Sequence, residues 1–437
     1  MGCPYGYGSL PKAELSVESR IGVSPSEKAE NACPMKRKHE EVVLGDLSSR
    51  SSAEVRRSRK DPLYYADYLK LDKILNAQEP LSWKAKDLCH DELLFITIHQ
   101  TYELWFKQLI FEIDSVRDIF ECLRLGEKQI STALHRLNRV KEIQKILVEQ
   151  IRVLETMTAQ EFLNFRDYLF PASGFQSVQF RLLETKLGLK LEKRVNQDFM
   201  NKLKEEDKKK VEKALSEPSL FDYVERWLRN MPFIEFRGYR FASHYKEAVE
   251  KMHNLDSCAL NRMLEGEERE AAMKDLASTM EIYESVWDKD VHKKQKELGA
   301  RRLGFRATNA CLMIMLYEDQ PMLQLPARLF QVLVDVDDCL NQWRHRHTQM
   351  VHRMIGQKIG TGGSLGHRYL KETVDRHRIF SDISNMSTLL LPKRFLPELP
   401  TTLRDQMKYF HSIEPYDRTL FELGGGGDNV ELDWTFC

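Results

Sequence analysis

The chain lacks a net charge: 66 Lys and Arg stand against 66 Asp and Glu over 437 residues. No global basic excess points to nucleic acid or to an anionic membrane surface, so the expected partner is a small molecule. No uninterrupted run of about 18 apolar residues occurs, which excludes a membrane-spanning helix. The N-terminus, MGCPYGYGSLPKAE, has no charged region followed by an apolar stretch. It is not a secretory signal, and a cytoplasmic location is expected. The eight cysteines are scattered without a CxxC pair, which argues against a disulfide framework or a zinc cluster. No segment alternates with period two and no solenoid-length repeat is present, so the expected architecture is all-α, built from long helices.

Residues 1–60 are poor in periodic hydrophobics and rich in Ser, Lys, Arg and Glu. Such a segment cannot offset its ordering entropy by burial, and a disordered tail is expected. Its basic patches, KRKH at 36–39 and RRSRK at 56–60, read as solvated tail before they read as import signals. A helical domain is expected over 61–395, with exposed, Lys/Glu-rich helices within 192–300 and a C-terminal tail at 396–437. A last amphipathic helix is expected from about Tyr369 to Leu391.

Chemistry concentrates in a few stretches. In WRHRHTQMVHRMIGQKIGTGGSLG, Trp343 to Gly366, helical spacing puts His347 on one face with Trp343, Met350, Val351 and Met354. His345 and His352 fall on another face, about 10 Å from one another, too far to chelate one ion. A single imidazole among apolar and sulfur side chains is either a satisfied core residue or one axial ligand of a haem. In HDELLFITIHQTYELWFKQ, Phe95, His99, Tyr102 and Phe106 form one stripe of a long helix running to about Phe120. A second long helix is expected from about Lys128 to Glu155. In LETMTAQEFLNFRDYLFPASGFQS, Thr158 is placed to cap a helix on which Phe162 and Arg166 share a face. An arginine one turn from a phenyl ring suits an aromatic carboxylate ligand, or else it pairs with a scaffold acid. Tyr65 and Tyr68 recur at near-helical spacing, as core residues or as contacts to another subunit.

Together, YYADYLKLDKILNAQ, HDELLFITIHQTYELWFKQ, LETMTAQEFLNFRDYLFPASGFQSVQFRLLE, WRHRHTQMVHRMIG and GTGGS occur in the order and spacing of the tryptophan 2,3-dioxygenase family, which the chain resembles over about 63–191 and 220–395. The resemblance implies a haem b enzyme that inserts both atoms of O2 into the indole ring of L-tryptophan to give N-formylkynurenine. It implies that His347 is the axial ligand of the haem iron, and that His99 is the distal histidine that takes the indole N–H. Phe95 and Phe162 would wall the indole, Arg166 would pair with the substrate carboxylate, and Thr361 would contact its ammonium and carboxylate. Ser173 would lie near the haem, while Tyr65 and Tyr68 would reach the pocket of a neighbouring subunit in a cytosolic homotetramer.

Five positions depart from the family pattern. Leu93 replaces a second histidine, His345 and Arg346 replace Tyr-Asn, Leu365 replaces a serine, and His367 replaces a tyrosine. Two alternatives therefore stay open at the level of sequence: a haem enzyme acting on another aromatic amino acid, and a helical haem-binding protein without turnover.

Overall fold

A computed structural model describes residues 62–408, apart from 123, 196 and 361–365. The first helices are short: α1 Tyr65–Leu69, α2 Leu71–Leu75 and α3 Leu81–Lys84. The framework begins with α4, Asp91–Glu121, and α5, Glu127–Leu154. Asp91 and Glu92 occupy the first turn of α4, where negative charge meets the unpaired N–H end of the helix. Glu92 is fully buried because it serves a second helix: its carboxylate accepts the backbone N–H groups of Leu81 and Ser82 at 2.7 and 2.9 Å.

Next come α6, Ala159–Arg166, and α7, Val178–Leu187. Thr158 does cap α6, in a capping box with Glu161. Helices α8, Glu205–Ser216, and α9, Leu220–Arg229, lead to a two-residue antiparallel pair, β1 Glu235–Phe236 and β2 Tyr239–Arg240. The turn between them carries Arg237 and Gly238 at positive φ, too short a strand signal to show as alternation. Helices α10, Phe241–Met263, α11, Gly266–Glu284, and α12, Lys289–Glu297, follow.

Helix α13, Phe305–Leu316, buries eight consecutive residues from Ala307 to Ile314 and is central to the core. Two prolines, Pro321 and Pro326, would ordinarily argue for a turn here. Instead α14 starts at Pro321, in the first turn where a missing N–H costs nothing, and continues past a buried Pro326 to Ile355. Helix α14 packs along α5, α5 along α4, and α7 along α4.

Three further expectations are corrected. The helix anticipated from Tyr369 to Leu391 is divided into α15, Gly366–Arg376, and α16, Ser381–Asn385. Asp337 of α14 ends the first by accepting the N–H groups of Ile379 and Phe380 at 3.0 to 3.1 Å, fixing a non-helical link. The stretch 192–300 is not uniformly exposed, since Phe199, Leu203 and Val211 form a second apolar cluster and α9 joins the main one. Residues 396–408, expected in the tail, place Leu399, Leu403 and Met407 in the main core, the latter two from α17, Thr401–Gln406, and its C-cap. Residues 1–60 lie outside the described residues. Among the described residues no helix is long and apolar enough to cross a membrane.

Candidate functional site

A cavity of about 300 Å³ lies between α4, α6, α7, α14 and α15. It is lined by His99 and Phe95 of α4, Phe162 and Arg166 of α6, Ser173, and His347 of α14. Four separate stretches of the sequence thus converge on one place. Thr361 lies outside the described residues, although its neighbour Gly360 lines the cavity. Tyr65 and Tyr68 do not line it; they are 75% and 69% exposed on α1.

His347 is stacked on Trp343, one turn earlier, with ring centroids 5.0 Å apart and planes only 6° from parallel. Burial, and to a lesser extent the nearby His99, lowers its pKa to about 4. The imidazole is therefore neutral at physiological pH, the form that ligates a metal. Met350, Val351 and Met354 join it in the cavity wall, on the face read from helical spacing.

His99 has a defined tautomer. Its Nδ1 is 2.7 Å from the Phe95 carbonyl, and since a carbonyl only accepts, Nδ1 carries the hydrogen and Nε2 keeps its lone pair. Part of the ring is open to the cavity, yet burial lowers the pKa, with the Phe95 hydrogen bond and the Glu103 carboxylate acting in the opposite sense. Phe95, Phe162 and Phe165 build an aromatic wall beside it, with centroid separations of 5.5 to 5.8 Å. Arg166 stands at the edge of this wall, and its Nη2 donates to the Ile359 carbonyl.

The same cavity holds a charged cluster that periodicity did not reveal. Arg181, Glu184, Arg344 and His377 all line the cavity and all are buried. One carboxylate, Glu184, serves Arg194 at 2.5 Å, Arg344 at 2.9 Å and Arg181 at 3.3 Å. The Arg181 Nε is buried without an acceptor, while the Trp343 indole N–H is directed at the Tyr102 hydroxyl. A surplus of positive charge and an unspent donor, beside an apolar wall with one neutral imidazole, fits a flat apolar macrocycle that carries carboxylates, as haem does.

Four of the five positions that depart from the family pattern lie off this surface. Leu93, His345, Arg346 and His367 do not line the cavity. Arg346 pairs with Glu155 at 3.4 Å, and His367 lies against His352 with centroids 4.4 Å apart. Leu365 lies outside the described residues.

Comparison with known proteins agrees with this geometry. The family model of tryptophan 2,3-dioxygenase matches residues 49–390. The chain is 44% identical over 355 residues to the tryptophan 2,3-dioxygenase of Alteromonas mediterranea, covering 80% of this chain and 98% of the relative. It is 43% identical over 362 residues to that of Dictyostelium discoideum, covering 82% and 90%. To that of Xenopus tropicalis it is 40% identical over 402 residues, covering 90% and 98%. The chain belongs to the tryptophan 2,3-dioxygenase family.

Proposed function

We propose that this chain is a haem-dependent dioxygenase that takes L-tryptophan and O2 to N-formylkynurenine, the first step of tryptophan catabolism. The observation that carries the reading is the convergence in one cavity of a neutral His347, His99 with a free Nε2 lone pair, the Phe95 and Phe162 rings, and Arg166. When bound, the haem iron supplies the activation of dioxygen. His347 would hold that iron, the stacked Trp343 would fix the orientation of the His347 ring, and Arg181 would offer a donor to the haem carboxylates. Ser173, the cap of the turn Gly174–Gln176, lies in the same wall.

The remaining residues bind and orient the amino acid. Arg166 spends Nη2 on Ile359 and keeps Nε and Nη1 for the substrate carboxylate. The Phe95 and Phe162 rings flank a flat aromatic side chain. His99 accepts the indole N–H at Nε2, which fixes the ring rather than removing a proton in an obligatory step. Thr361 is assigned to the ammonium and carboxylate by resemblance to the family. The exposed Tyr65 and Tyr68 suit burial against a second copy, in a homotetramer, and a cytosolic enzyme is proposed.

The test is aerobic turnover by the reduced, haem-loaded protein with L-tryptophan beside L-tyrosine, L-phenylalanine and tryptamine. N-formylkynurenine from L-tryptophan, with no product from the other amino acids, is expected. Bound haem with untouched tryptophan would overturn the substrate assignment. Arg166→Leu should keep its haem while tryptophan binding weakens by about 1.5 to 3 kcal/mol, the worth of hydrogen bonds to a charged group. Tryptamine, which has no carboxylate, should bind both proteins equally in the same spectral titration.

A further inference from the structure

Glu103 lies on α4 one turn after His99 and lines the same cavity, yet nothing in the proposed reaction uses it. Both of its carboxylate oxygens are occupied from across the cavity wall. Oε1 accepts the Ser177 hydroxyl at 2.6 Å and Oε2 accepts the Gln179 amide at 2.8 Å. The same Gln179 nitrogen also donates to the Glu103 backbone carbonyl at 2.9 Å. Ser177 is itself the N-cap of α7, accepting the Phe180 N–H at 3.3 Å. One side chain on α4 therefore fastens the first turn of α7 and the short turn before it. That segment brings Ser173, Phe175, Phe180 and Arg181 to the cavity, whereas α4 brings Phe95 and His99. A second tie between the two helices, Lys186 to Asp114 at 2.7 Å, sits at the far end of α7, and Lys186 does not line the cavity.

We propose that Glu103 is a positioning residue of the active site: it sets the register of the Ser173–Arg181 segment against His99, and with it the space left for the substrate ring. This rests on the reading of the cavity as the tryptophan site. A displacement of about 1 Å in such a site costs on the order of a hundredfold in productive geometry, so loss of the tie should be felt in substrate binding and turnover before it is felt in haem binding.

The conservative variant separates position from charge. In Glu103→Gln both ties can persist, because the new amide oxygen accepts from Gln179 and the new amide N–H donates to Ser177 Oγ, which has acceptor capacity left. In Glu103→Ala both carboxylate ties are gone, and the Gln179 amide keeps only its bond to the backbone carbonyl of position 103.

The measurements use the full-length haem-loaded protein: haem content, the spectral change on adding L-tryptophan, and KM and kcat for its turnover. Glu103→Ala is expected to keep wild-type haem content and to raise KM at least about tenfold, with Glu103→Gln within about twofold of wild type. Lys186→Met, which cuts the distal tie, should lower the melting temperature and leave KM unchanged. If Glu103→Ala does not fold, Gln179→Met is measured in its place, with the same expectation of a raised KM. A wild-type KM in the disruptive variant, or an equal defect in Glu103→Gln and Glu103→Ala, overturns the proposal. A wild-type protein that shows no spectral response to tryptophan overturns the reading of the cavity instead.

Discussion

His347→Ala is expected to leave a folded protein that no longer takes up haem. The two halves of this result come from effects of different size. Loss of the ring stacked on Trp343 removes about 0.5 to 1.5 kcal/mol of aromatic contact, small beside the roughly 5 to 15 kcal/mol that holds a domain together. The side chain already borders a cavity, so its removal enlarges an existing space rather than opening one in a packed core. Haem affinity is another matter. Even partners of a metal ligand are worth about 10- to 100-fold in metal affinity, so removal of the ligand itself should cost at least about 100-fold. The check is the ratio of haem absorbance to protein after loading, read beside the far-UV circular dichroism. A variant with the full haem spectrum would end the axial assignment. Imidazole added to the variant should restore part of the spectrum, because the lost group is then supplied from solution to a vacated space.

What the sequence disclosed and what it hid divide by range of interaction. The long helices α4 and α5 were legible because their apolar positions recur with helical period, and the capping of α6 was legible because Thr158 and Glu161 are three residues apart. The surroundings of His347 were legible for the same reason: Trp343, Met350, Val351 and Met354 share its helix. The choice between a core histidine and an axial ligand was not, since it depends on the cavity His347 faces and on the charged residues that α7 brings to the same cavity. Arg344 and Glu184 are 160 residues apart in the chain, and no local pattern joins them. The break after α15 was hidden too, because the side chain that stops the helix, Asp337, lies 42 residues upstream of the N–H it accepts. The identity of the substrate came from family resemblance, since an Arg one turn from a Phe specifies an aromatic carboxylate and no more.

The largest stability effect is expected from Glu184→Gln. Glu184 is 1% exposed. Burial alone would push its carboxyl group up, but the guanidiniums of Arg194, Arg344 and Arg181 and the His377 hydrogen bond outweigh it and hold the group well below the usual carboxylate range. Removing one partner of a buried ion pair costs about 3 to 5 kcal/mol, because the charge left behind has lost its water and gained no substitute. Here three guanidiniums are left behind.

The pH dependence has a definite sign. A carboxyl group whose pKa is lower in the folded than in the unfolded chain binds fewer protons when folded, so its contribution is full above the ordinary value of about 4.5. It fades as pH falls through the depressed folded value. The gap in denaturant midpoint between wild type and Glu184→Gln should therefore stay constant from neutral pH down to about 4.5 and narrow only below that. The cluster also carries one carboxylate for three guanidiniums, so positive charge is left partly uncompensated. Haem carboxylates brought to Arg181 would supply the missing negative charge. Because a ligand that binds only the folded state adds its binding energy to stability, the cost of Glu184→Gln should be larger in haem-free protein than in haem-loaded protein. An equal cost in both forms would mean that the haem carboxylates and this cluster do not meet.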